Sequence, residues 1–200
     1  MWQKKILKHS IHFVLLFSFI YLMSCDIYKS EKSTISGIDK TVCEQFSDSV
    51  FTPIESVPLN QYFANVTNQE IAKVAASFID SLVADSFFVE QNSQNAYELT
   101  LGAGDTTYLA AKTANGTLTV FATGIVDLNV FGEDGKSIAL SDDNMPLATI
   151  SGCTELSEGG KVDPLIKMRL AYNIGNNNVV LLQFIKVEQT KSRIFKLSLK

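Results

Sequence analysis

The chain has 200 residues, 46% hydrophobic and 19% charged, with 17 basic and 21 acidic side chains and a net charge of −4. That length suits one domain with a sizeable core, and the acidic balance makes nucleic acid and anionic lipid head groups poor ligands, so both are excluded as partners.

The first elements lie at the N-terminus and read as an address. Lys4, Lys5 and Lys8 form a positive start, Ile11 to Met23 an apolar middle, and small Ser24 stands before Cys25. A membrane-spanning helix needs about 20 consecutive apolar residues. This run is shorter and is interrupted by His12 and Ser18, so it reads as a secretory signal.

Leu22, Met23, Ser24 and Cys25 resemble the lipobox of bacterial lipoproteins, although a small or β-branched residue is commoner where Met23 stands. The resemblance ends there and says nothing of the domain beyond. It implies lipidation of the Cys25 thiol, cleavage before that residue and acylation of the new amino terminus. One acyl chain binds a membrane only marginally and reversibly, so a multiply acylated Cys25 supplies a stable anchor without a spanning helix. The other reading is cleavage near Ser24 by the general peptidase, with Cys25 an ordinary cysteine. Asp26 leaves the choice of membrane open, with the outer membrane or cell surface expected ahead of the inner membrane.

Loss of residues 1–24 would leave 14 basic against 21 acidic side chains, a net of −7. His9 and His12 are the only histidines, and both would go. A Ser/His/Asp triad, a Cys/His dyad and any His-ligated metal would then be excluded, because each needs an imidazole. Trp2 would go as well, leaving Tyr and Phe for stacking on a sugar. Cys43 and Cys153 would be the two remaining thiols of an exported chain. They are expected to pair, contributing about 4 to 5 kcal/mol in the chain-entropy model; two separately buried free thiols are the alternative.

Residues 25–42 are polar and small and read as a flexible tether, ahead of a single β-rich domain over 43–200. Pro53 and Pro58 argue for irregular, extended chain over 51–60. Thr67 and Glu70 form a capping box, after which Ile71, Val74, Ala75, Phe78, Ile79, Leu82 and Val83 share one face of a helix over about 68–85. The period then changes to two. Tyr97, Leu99 and Leu101 alternate with polar neighbours, as do Val126, Leu128 and Val130, and then Ile166, Met168, Leu170 and Tyr172.

Asn115-Gly116 between two such runs is a strong two-residue hairpin signal, with longer turns at 132–136 and 173–178. Residues 179–187 are apolar on both faces and read as a central strand, with 193–199 pairing beside it. The expected fold is therefore mainly β: an antiparallel sandwich or partly open barrel with one N-terminal amphipathic helix.

No motif points to catalysis, a cofactor or a metal. The glycine-rich turn at 101–105 lacks the lysine and following helix of a phosphate-binding loop. The acidic stretches 132–135 and 141–145 lack the ligand register of a calcium loop and read as solvated turns. Phe121 and Phe131 fall on the outer faces of their strands, where a second sheet or the helix is expected to cover them. The sequence thus points to a membrane-anchored envelope lipoprotein with a noncatalytic binding or structural role, its partner an unidentified envelope or extracellular protein or glycan. The alternatives are a surface-exposed adhesin and an envelope hydrolase using paired carboxylates.

Overall fold

A computed structural model describes residues 37–114, 116–142, 153–156 and 162–200. They belong to the unit Ile35–Lys200. The expected signal segment, Cys25 and most of the expected tether lie outside the described residues.

The elements in order are α1 (Gly37–Ser47), β1 (Phe51–Ser56), a 3-10 turn (Leu59–Gln61), a 3-10 segment (Asn68–Lys73), α2 (Ala75–Ala84), β2 (Phe88–Glu90), β3 (Ala96–Leu101), β4 (Thr106–Lys112), β5 (Gly116–Ala122), β6 (Asp127–Phe131), β7 (Ser137–Ile138), β8 (Leu140–Asp142), β9 (Thr154–Leu156), β10 (Val162–Pro164), β11 (Met168–Gly175), β12 (Val179–Ile185) and β13 (Ile194–Leu199). The fold is mainly β, a sandwich of two mixed sheets and not a closed barrel. The first sheet has the order β1-β3-β13-β5-β11-β8 and the second β2-β4-β12-β6-β7, while β9 and β10 pair only with each other.

Period-two alternation explains the core. Tyr97, Leu99, Leu101, Leu128, Val130, Met168 and Tyr172 all turn their side chains between the sheets, where they meet Leu182, Phe184 and Leu197. Each sheet carries a helix on its outer face. Val42, Cys43 and Phe46 of α1 cover Phe121 of the first sheet, and Phe78, Ile79 and Leu82 of α2 cover Tyr108, Ala110 and Leu181 of the second. The order of layers is helix, sheet, sheet, helix. Phe121 is fully buried and Phe131 half-buried; the expected helix packs against Phe131, whereas Phe121 is covered by α1, a helix that the sequence reading did not include.

The strand at 179–187 is central as expected, lying between β4 and β6. Its expected neighbour is not beside it, because β13 lies in the other sheet between β3 and β5. The hairpin expected at Asn115-Gly116 is also absent. Gly116 has the positive φ of a turn glycine, +105°, yet β4 belongs to the second sheet and β5 to the first, so this short connection crosses between sheets. The same crossing occurs from β3 to β4, from β5 to β6 and from β11 to β12. The turn at 132–136 does close a hairpin, β6 with β7.

Parallel pairs, β1 with β3 and β2 with β4, qualify the antiparallel expectation. Residues 51–56, expected to be irregular, form edge strand β1, which tolerates Pro53 because an edge leaves one side of the backbone unpaired. The helix expected over 68–85 is divided. The Glu70 carboxylate accepts from the Thr67 amide at 3.4 Å, the carboxylate's bond in a capping box, and also from the Thr67 hydroxyl at 3.1 Å, but the first turn is 3-10 and Val74 (φ −123°, ψ 4°) separates it from α2.

Helix α1 was not expected, and it takes residues 37–42 out of the tether. Its 11 residues are too few for a stable isolated helix, so it depends on attachments. At its start, buried Asp39 forms an ion pair with Arg169 of β11 at 3.1 Å, and that guanidinium lies 5.7 Å from the centre of the Phe121 ring. At its end, the Lys196 ammonium of β13 donates to the carbonyls of Phe46 and Asp48, which places a cation at the negative end of the helix. Between them, Gln45 donates to the carbonyls of Ser93 and Gln94 at 2.8 and 2.7 Å. Asp39→Ala removes this carboxylate from a guanidinium with four-fifths of its side-chain surface covered. It is expected to lower stability by about 2 to 3 kcal/mol, below the 3 to 5 of fully buried pairs. Urea denaturation of the two proteins checks it, and a loss under about 0.5 kcal/mol refutes the anchoring role.

Candidate binding clefts

Cys43 and Cys153, the two site residues that the sequence predicts within the described part, meet as expected. They form a disulfide with a Cα–Cα distance of 5.6 Å across a separation of 110 residues. The bond joins α1 to the start of β9, over the outer face of the first sheet. Cys25, the predicted lipidation site, lies outside the described residues.

Two concave surfaces adjoin on one side of the molecule and share Ile125 and Lys167. The first, about 600 Å³, is the mouth of the sandwich, where β6 and β7 face β8 and β11. Leu128, Ile138, Met168 and Leu170 make it apolar. The Tyr172 hydroxyl donates to the Leu128 carbonyl at 2.8 Å, tying the two sheets together across this mouth.

The second, about 690 Å³, lies among the β5–β6 connection (Thr123, Gly124, Ile125), the β9–β10 pair (Glu155, Asp163, Pro164) and the loop into β13 (Lys191, Ser192, Ile194). Lys167 and Glu155 pair at 2.8 Å beside it. Of the six large apolar side chains exposed among the described residues, three line one or both clefts, Ile125 at 44%, Leu140 at 41% and Ile194 at 53%, and Val162 at 61% adjoins the lining residue Asp163, while Ile38 and Val50 lie elsewhere. Exposed apolar groups collected in a concave surface with a charged rim are the arrangement of a binding face.

The groups whose titration is shifted serve the framework. Burial pushes the Tyr108 hydroxyl up; it accepts from Gln183 at 2.7 Å and donates to Asn68 at 2.9 Å. Tyr62 is pushed up to about 12 by burial and by its hydrogen bond to Asp85. Loss of water lowers Lys186, Lys196 and Lys200, each of which donates to backbone carbonyls. The glycine-rich turn at 101–105 is a strand-ending turn, as expected. Its carbonyls face cations: Lys186 reaches those of Gly102 and Gly104, and Arg193 that of Leu101 at 2.8 Å. A phosphate cradle has the opposite polarity, presenting N–H groups. Among the described residues, no group of three or more His, Cys, Asp and Glu is placed to hold a metal ion. The acidic stretch 141–145 lies largely outside the described residues.

Comparison with protein-family models, with curated proteins and with solved structures finds no match for this chain. Leu128, Met168, Leu170 and Tyr172 were legible as strand positions but not as cleft walls, and Ile125 and Ile194, at strand boundaries, were not singled out. The signal available there was an isolated large aliphatic residue at each strand boundary.

Proposed function

We propose that this is a cell-envelope lipoprotein, held to its membrane by an acylated Cys25, whose domain binds a partner at the adjoining clefts and performs no catalysis. The observation that carries the reading is the Cys43–Cys153 disulfide, because a bond closing so long a loop belongs to a chain that folds in an oxidising compartment. The signal-like N-terminus and the lipobox pattern at 22–25 agree with export, and the exposed Ile125, Leu140 and Ile194 suit a partner with an apolar contact patch, an envelope or extracellular protein before a glycan.

Intact mass of the protein extracted from its own membranes, recorded with and without reductant, tests the reading. The expected species is the chain 25–200 carrying acyl mass, gaining two hydrogen masses on reduction. A chain that retains residues 1–24, or one beginning near Cys25 without added mass, overturns the anchor.

A further inference from the structure

We infer that the Cys43–Cys153 disulfide is a clasp on one wall of the second cleft, so that its reduction releases the β9–β10 pair and reshapes the cleft while the sandwich stays folded. The cleft is the one given a binding role above, and the clasp rests on that role only for its use to the protein.

The two sides of the bond are held unequally. β9 and β10 are joined by three residue pairs and belong to neither large sheet. An isolated two-stranded ribbon is marginal in water. Among the described residues, besides the disulfide, the pair is attached to the first sheet by the burial of Leu165 and Ile166, by the Lys167 amide just beyond β10 donating to the Ala122 carbonyl at 2.8 Å and by the charge of Glu155 near Lys196. The Leu165 amide to Cys153 carbonyl bond at 3.1 Å and the Lys167–Glu155 pair lie within it. That ion pair is partly exposed and contributes little. Helix α1, on the other side, keeps the Asp39–Arg169 pair, the Lys196 contacts and the Gln45 hydrogen bonds when the disulfide is gone.

Both cysteines are buried, Cys43 the less so, and its sulfur is the entry point we assign. A thiolate of a dithiol reductant bonds to the Cys43 sulfur, the S–S bond breaks, and Cys153 leaves as a thiolate that takes up a proton. The second thiol of the reductant then displaces Cys43, which is also protonated. The protein gains two electrons and two protons, and the reductant becomes a cyclic disulfide. Glu155, Asp163 and Pro164 then leave the wall, Lys167 loses its partner, and Ile125 and Ile194 stay in place on connections of the sandwich.

Amide hydrogen exchange of the full chain, with and without dithiothreitol, tests this. The expected result is an acceleration of about tenfold or more in Cys153–Leu156 and Val162–Ile166, about threefold or less in α1, and no change in β4 and β12. The Cys43→Ala/Cys153→Ala variant is expected to repeat the pattern without reductant. Unchanged exchange in the β9–β10 peptides overturns the clasp, and so does acceleration of those peptides together with β12, which would make the bond a staple of the whole domain. No ligand enters this measurement, so the clasp can fail while the clefts still bind, and the binding role can fail while the clasp holds.

Discussion

Phe78→Ala is expected to remove about 3 to 5 kcal/mol of stability, the range for truncating a fully buried phenylalanine. Phe78 has no exposed surface and is the centre of the layer beneath α2. Its ring lies 5.5 Å from that of Tyr62, 5.7 Å from Phe63 and 5.3 Å from Tyr108. The aromatic partners come from two segments, Tyr62 and Phe63 just after the first 3-10 turn and Tyr108 on β4, and they cannot collapse together into the space left behind, because Tyr108 is fixed on β4 and by its hydrogen bonds to Gln183 and Asn68. Domains of this size are stable by about 5 to 15 kcal/mol, so the variant loses about a fifth of that or more. The urea midpoint is expected to fall with an unchanged slope. A loss below about 1.5 kcal/mol would mean that α2 contributes little to holding the second sheet.

The second large effect is expected at Gly102→Ala. A Cβ there would stand 2.2 Å from the Ser56 carbonyl oxygen, an atom of the backbone of β1. Ser56 cannot retreat easily: it is fully buried, its hydroxyl donates to the Thr107 hydroxyl at 2.8 Å, and β1 is in register with β3 from Phe51 to Ser56. Relief requires the end of β1 to peel from β3. The expected cost is about 3 kcal/mol, the upper end for overpacking. For a domain of this length that is a fall in Tm on the order of 10 °C, read by thermal unfolding. A variant within about 1 °C of the parent would show that the β1 edge yields freely. The glycine is thus required by close approach of two strands, which separates this turn from a ligand-binding glycine loop.

The strands were legible in the sequence where one face is buried, because burial writes a period of two. Tyr97, Leu99 and Leu101 carry it, and Leu128 and Val130 again. Sheet membership was not legible. A short Asn-Gly connection reads as a hairpin, and only the positions of β12 and β13 decide that β4 and β5 part into different sheets. The parallel edges were hidden for local reasons: β1 carries Pro53, and β2 has three residues. Helix α1 was hidden because its buried apolar face is limited to Val42, Cys43 and Phe46, while the rest of its stability is supplied by Arg169, Lys196 and a cysteine 110 residues away. Of the predicted site residues, the disulfide pair needed only counting. The clefts needed the fold, since they are formed by connections that lie far apart in the chain.

The order of strands also bears on when the domain becomes a domain. The middle strand of the second sheet, β12, and an interior strand of the first, β13, both come from residues 179–200. Until that stretch is present, β4 and β6 have no common neighbour, and β3 and β5 have none either. Before it, strands can pair only in separate pieces, β1 with β3, β2 with β4, and β5 and β8 with β11, beside the short-range pairs β6–β7 and β9–β10. Completing either sheet needs residues 179–200 and contacts between distant parts of the chain, which places the domain among the slow folders, on the scale of about milliseconds to seconds. A chain that cannot close early stays threadable while it is being made.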